Sequence, residues 1–490
     1  MGIRFLRLTA CAALAGLAIA GCSKRQPEAV DVVVIGASPV EAFDPFLGPL
    51  TAPQQLAMES LAQGLVRFDA RGEIVPGLAE RWSVSDDGLS YIFRLGSGKW
   101  TNGREIRARD VARLLKRQLR PTSRNELKDT LGAVEDVVAM TDRVIEIRLV
   151  APRPHLLQLL AQPEFGILRD RQGSGPFTTD AEQPSRKWRA WTYRRSIVDG
   201  PDIVERVRVR SASAKQAVAM FGAEEAGLVL GGSFADLPIA RQAKTGRNAL
   251  RFDPVAGLFG LVPLRASGLL GSVEARRLLS RSIDRQALVD TLDVPGLNPR
   301  STLLQGGGEG LAPLAQSPAP QPDPATLKAE LAAEARSLFG DEVPTVRVRL
   351  PDGPGADILL QRLRIDWGNL GLKVERAQAG GGADFALVDS VAPTTSPAWF
   401  VRRFRCSVAP ICLKEADTLM DSARLATVAA QRIAFLSEAA RLLEEEVAFL
   451  PLAAPIRWSL VGNRLPGFTE NIVGRHPLIG IGNAPSREGN

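Results

Sequence analysis

The sequence predicts an α/β protein of two or three domains, and three observations point there. The first is size: 490 residues, 45% apolar and 23% charged, exceed what one hydrophobic core usually organises, yet the composition is that of a folded chain. The second is the stretch 75–115. Trp82 and Val84 fall on one face of a short strand, and Asp86-Asp87-Gly88 supplies a turn in which glycine takes positive φ at no steric cost. Tyr91, Phe93 and Leu95 then alternate with Ser90, Ile92 and Arg94, which makes a return strand. From Asp110 the apolar spacing becomes helical through Val111, Leu114, Leu115 and Leu119. The third observation is the order helix, strand, helix, strand over 326–339, 346–350, 356–370 and 373–375, with Gly371 ending the second helix.

The N-terminus reads as a targeting segment. Arg4 and Arg7 precede an apolar run, 8–20, that is shorter than the roughly 20 residues of a membrane helix. Ile19-Ala20-Gly21-Cys22 closes that run and resembles a bacterial lipobox, in which the cysteine sulfur takes the lipid. The resemblance implies a signal over 1–21, a mature chain that starts at an acylated Cys22 outside the cytoplasm, and a polar tether over 23–27. An ordinary signal with an incidental cysteine is the alternative. Cys11 leaves with the signal, so Cys406 and Cys412 remain as disulfide partners in an oxidising compartment, or as two free buried thiols. The formal charge is +7, and without Arg4 and Arg7 the balance is 59 basic to 54 acidic residues. The basic residues are scattered rather than interleaved with aromatics, which argues against a nucleic-acid partner.

Further along, 30–35 is a short, mostly β-branched strand, and 54–65 is a helix. Asp44 before Pro45 reads as a turn-former. Residues 137–140 and 144–147 flank Thr141-Asp142-Arg143 as a strand pair. His155 opens a Leu-rich helix, and the only other histidine is His476; neither has metal-ligand spacing, so no metal or cofactor is expected. Residues 204–210 alternate as a half-buried strand, 213–221 form a helix, and Asp284 reads as the N-cap of the second of two helices within 272–292. The span 306–324, rich in Gly, Pro, Ala and Gln, is a surface loop whose consecutive glycines lack the GK[ST] of a phosphate cradle. A long helix over 429–446 and a strand over 449–452 follow.

As a string, the stretch 75–115 closely resembles the signature of the large extracytoplasmic solute-binding proteins of ABC importers, family 5, the dipeptide/oligopeptide-binding type. Pro76, Leu78-Ala79-Glu80, Trp82, Asp87-Gly88, Tyr91, Phe93, Leu95, Lys99-Trp100, Gly103, Ala108 and Asp110-Val111 carry the match. Phe43-Asp44-Pro45, Gly173-Ser174-Gly175-Pro176-Phe177, Arg276 with Ser282 to Arg285, and Pro451-Leu452 add to it, so the likeness covers nearly all of 30–482 and thins between 120 and 270. It implies a two-lobed periplasmic-binding-protein type II fold with an extra domain. The first lobe would comprise 22–47, 173–258 and 450–490, the inserted domain 48–172, and the second lobe 259–449. It also implies a lipid-anchored, monomeric protein that captures a peptide-like solute by hinge closure and delivers it to a permease and ATPase on separate chains. The alternative is a cell-envelope sensor that keeps the fold without import. Enzyme motifs such as G-x-S-x-G, H-E-x-x-H and Walker A are missing, so catalysis is not expected.

The resemblance breaks at one informative place. Peptide binders of this type carry W-x-a-D-Y-x-D-P, whose first Asp holds the peptide's α-ammonium. Aligning the final Pro with Pro397 puts Pro393 or Thr394 where that Asp belongs, and neither can neutralise a buried ammonium. Either Asp389 takes over from four residues upstream or the solute has no free amino terminus; Asp389 as the cap of a turn at its strand's end is the bland alternative. Ser38, after the strand that leads to the lip of the cleft, Asp389, Trp399 and Arg402 are the candidate ligand contacts.

Overall fold

A computed structural model describes residues 29–171, 173–179, 188–195, 203–243, 245–246, 248–306, 323–340 and 343–482. The signal, Cys22, the tether and most of the 306–324 loop lie outside these residues. Two mixed sheets form the frame. The β-branched run Val30–Ile35 is buried through Val32, Val33 and Val34 and sits centrally, parallel to Ile203–Ala212 on one side and Leu228–Ser233 on the other. Arg189–Arg195 and Phe177–Thr179 extend this sheet on the first side, Arg457–Val461 and Leu250–Phe252 on the second, giving seven strands. The other sheet has five, in the order Lys373–Arg376, Thr345–Arg349, Phe385–Val391, Gly257–Pro263, Leu450–Ala453.

The chain passes between the sheets twice in quick succession. Phe252 ends a strand of the first sheet and Gly257 begins one of the second; Ala453 ends a strand of the second and Arg457 begins one of the first. The second passage differs from the expected boundary at 450. Leu450–Ala453, buried along its whole length, pairs with Gly257–Pro263, so the return falls at 454–456. A short apolar run carries no sign of which of two sheets will take it.

The second sheet is covered by Val273–Ser282, Arg285–Leu292 and Pro354–Gly368, whose Leu278, Leu279, Leu359 and Leu363 are fully buried. Trp367 anchors this core: its indole N–H donates to Leu279 O at 3.0 Å, and its ring lies 5.4 Å from that of Phe385. Asp284 caps Arg285–Leu292 by accepting from Ala287 N at 2.9 Å.

A separate antiparallel sheet contains the hairpin read from 75–115. Its order is Ala79–Val84, Ser90–Leu95, Val144–Leu149, Val134–Thr141, and the helix Ala108–Gln118 packs Val111, Ala112 and Leu115 into the same core as Phe93 and Ile145. Tyr91, Phe93 and Leu95 are buried as their alternation predicts. Trp82 is only partly buried, and Val84 is exposed, because Ala79–Val84 is an edge strand. The Gly173 to Phe177 turn needs its glycines for close approach. A Cβ on Gly173 would sit 1.7 Å from Leu61 O, and one on Gly175 2.3 Å from the Leu61 carbonyl carbon. Gly175 N donates to that same carbonyl at 2.8 Å, tying the turn to the end of the helix Ala52–Leu61.

Candidate functional site

The two passages between the sheets are fastened by polar contacts at both ends. Asp253, at the start of the first passage, accepts from His476 Nε2 at 3.0 Å and from Asn471 N at 3.0 Å, and His476 stacks on Phe468. Arg457, at the end of the second passage, reaches back to the five-stranded sheet. Its Nη1 donates to Asp389 Oδ1 at 2.8 Å and its Nη2 to Asp389 O at 3.2 Å. Asp389 lies within Phe385–Val391, opposite Phe259, and its side chain is 16% exposed. It therefore caps no turn, and its charge is already matched by a guanidinium.

Three further contacts join the five-stranded sheet's side of the molecule to the antiparallel sheet's side, each from a side chain to a main-chain carbonyl. Gln162 Nε2 donates to Pro393 O at 3.1 Å, fully buried. Arg402 Nη1 donates to Glu126 O at 3.4 Å, and Arg153 Nη2 donates to Arg424 O. Gln162 is itself held. Its Oε1 accepts from Arg475 at 3.4 Å, and Arg475 also donates to Gln55 Oε1 at 2.9 Å and lies 3.6 Å from Glu59. Gln55 Nε2 in turn donates to Glu164 Oε1 at 3.2 Å. Burial pushes the Glu59 carboxyl up; the Arg475 charge opposes that and the Glu164 charge adds to it. A cavity of about 30 Å³ opens beside these groups, lined by Glu59, Ser60, Gln63, Arg67, Gln162 and Arg475 among others, with room for a water or two.

Of the four candidate contacts, the fold brings two together. Trp399 lies in the short helix Pro397–Val401, and Arg402 follows on the next turn with its guanidinium 5.9 Å from the Trp399 ring centroid. Trp399 is 7% exposed and its Nε1–H is buried with no hydrogen-bond partner among the described residues. Desolvation lowers the Arg402 pKa to about 10, so it remains charged. Ser38 is engaged elsewhere, its hydroxyl 2.5 Å from Thr51 Oγ1. Asp44, beyond capping Pro45–Leu47, takes Arg117 in an ion pair at 2.5 Å and Gln118 at 3.1 Å, an anchorage not legible from its Pro neighbour. Just past Arg402, Cys406 and Cys412 are disulfide-bonded with Cα atoms 5.0 Å apart, and Cys406 N donates to Asp417 Oδ2. Among the described residues no group of three or more His, Cys, Asp or Glu side chains is arranged to hold a metal ion.

The model of the Bacterial extracellular solute-binding proteins, family 5 Middle, matches residues 73–387, well over half of the chain. This chain belongs to that family. As a family 5 solute-binding protein it is related to binding proteins of the extracytoplasmic space. It is 25% identical to the Probable di/tripeptide-binding protein 5 of Pseudomonas aeruginosa, over 96% of each chain. A 30% identity to the Dipeptide-binding protein DppE of Bacillus subtilis covers 25% of this chain and 26% of that one. Among solved structures, the murein tripeptide binding protein MppA of Escherichia coli superposes with a TM-score of 0.77 over 93% of this chain and 98% of that one, at 17% identity. At that identity the likeness speaks for the fold alone, which is the two-lobed arrangement that the sheets and their double passage build.

Proposed function

We propose that this protein is the capture subunit of an ABC importer. It closes two lobes, hinged at 253–256 and 454–456, on a peptide-like solute and delivers that solute to a permease whose ATPase is a separate chain. In this reading it is a monomer, held to the membrane by acyl chains on Cys22. The observation that carries it is the pairing of a two-segment hinge with side-chain donors, Gln162 and Arg402 foremost, that meet carbonyls of the opposite side. A ligand that bonds both lobes favours the closed state by its differential affinity for it. Relatives named for dipeptides and di/tripeptides support the solute class.

The solute departs from an ordinary peptide at its amino end. Pro393 or Thr394 stands where the family's ammonium-binding Asp belongs, the Pro393 carbonyl is taken by Gln162, and the nearby Asp389 is neutralised by Arg457. An α-ammonium enclosed there would lack a counter-charge. The test is mass spectrometry of solute carried through purification, joined to small-angle scattering of loaded and stripped protein. A co-purified peptide-like compound whose removal expands the particle is the expected outcome; no bound solute and no change in dimensions would sink the capture reading.

A further inference from the structure

We infer that a carboxylate of the solute is received by Arg402 and the indole N–H of Trp399, so that the protein grips its ligand by an anionic end. The inference rests on the capture reading above and adds the chemistry of the grip. Three features single out this pair. Arg402 is a half-buried guanidinium whose described hydrogen-bond partner is one main-chain carbonyl, Glu126 O at 3.4 Å. The carboxylates of Glu126 and Asp129 are near enough to influence it, but both residues are exposed, and no carboxylate among the described residues lies within the 4.0 Å of an ion pair. Five N–H donors in a planar fork are thus left largely unmatched where a carboxylate would match them.

Trp399 supplies the second feature. Two other buried indole N–H groups are paired with carbonyls: Trp367 with Leu279 O, Trp458 with Ser233 O. Trp399 Nε1 is not, although a donor left buried and unmade forfeits the hydrogen bond it had in water. Trp100 Nε1 is also unpartnered, but the Arg169 beside its ring is already met by Asp110 at 3.4 Å. Trp399 with Arg402 therefore joins an unpaired indole donor to a cation with no carboxylate partner, three residues apart on consecutive turns.

The third feature is position. Arg402 touches the antiparallel sheet's side from the five-stranded sheet's side. On that same side Asp389 is already met by Arg457, while two donors for a negative group stand ten and thirteen residues beyond it.

The experiment uses the mature full chain and a casein digest as probe, in three forms: untreated, acetylated at its amines, and methyl-esterified at its carboxyls. The digest and its acetylated form are expected to raise Tm equally, and the esterified form to lose the shift. Arg402→Gln should abolish the shift, and Trp399→Phe, which keeps an aromatic ring and deletes the donor, should at least halve it. Tm without digest reports whether each variant folds, and Trp399→Phe keeps the test open if Arg402→Gln does not. A shift that survives esterification, or that both variants retain in full, overturns this inference and leaves the capture reading standing. No shift with any form of the digest removes the peptide-like solute and the carboxylate grip together.

Discussion

Asp389→Asn separates a residue that fastens the hinge from one that meets the solute. The Asp389–Arg457 pair has its donor and acceptor 2.8 Å apart with side chains 16% and 24% exposed, so both charges have lost most of their water. Deleting one member of a buried pair typically costs about 3–5 kcal/mol, because the other charge is left without compensation. Two facts reduce that figure here. Arg457 keeps its bonds to Ile456 O and Asp389 O, and the Asn oxygen can still accept from Nη1. We expect a loss of about 1–3 kcal/mol, read by calorimetry as a fall in Tm of a few degrees in solute-free protein. Solute discrimination should stay intact: matched free and N-acetylated peptides keep their wild-type ratio of affinities. The reasoning is refuted if Tm is unchanged while free peptides lose tenfold or more in affinity, for then the carboxylate faces the ligand rather than Arg457.

Three other outcomes follow from the same observations. Cys22→Ala should release the protein into the soluble fraction or stall it unprocessed, since two acyl chains are what hold such an anchor; a mature, membrane-bound variant would refute lipidation. Replacing Cys406 and Cys412 by Ser should lower stability by about 2 kcal/mol through loop entropy, and intact-mass analysis after alkylation without reductant should find no free thiol. Glu59 binds its proton more tightly when folded, so the stability it contributes is complete below the ordinary carboxylate range and is lost as pH rises through its raised value. Glu59→Gln should therefore match wild type below the ordinary carboxylate range and gain on it in Tm as pH rises; a difference that stays constant with pH would refute the shift.

How much of this was legible in the sequence depended on the range of each interaction. Local periodicity located Val30–Ile35, Ser90–Leu95, Ile203–Ala212, Pro354–Gly368 and Ala429–Glu445 to within a few residues, because the residues that must be buried are spaced by the element itself. Lys414–Leu425 went unread: its buried face is only Ala416, Met420 and Ala423, two alanines and one methionine that give little apolar contrast until Ala429–Glu445 is laid against them. Sheet membership was equally hidden for Leu450–Ala453. In the site, the absence of an acid at Pro393 or Thr394 was readable by alignment to the family pattern. Arg457, Gln162 and Arg475 were not, since their partners lie 68, 231 and 420 residues away and nothing in their own neighbourhoods marks them.

The acceptors of the cross-cleft contacts also say where selectivity must reside. Gln162, Arg402 and Arg153 all donate to main-chain carbonyls, of Pro393, Glu126 and Arg424. Such bonds contribute about 0.5–1.5 kcal/mol each, somewhat more for the charged donors, and they form whenever the lobes meet, whatever the solute. They bias closure without choosing a ligand. A solute shifts the open–closed balance only through contacts made better in the closed form, so choice falls to groups that closure itself leaves unmatched. Gln162 is not among them, being held on both faces by Pro393 O and by the chain of Arg475, Gln55 and Glu164. Asp389 is not either, since Arg457 holds it. The Trp399 N–H and the Arg402 fork are left, and both seek an acceptor. A grip built on these two donors, as inferred above, would select for negative charge, the opposite polarity to a site built around an ammonium-binding Asp.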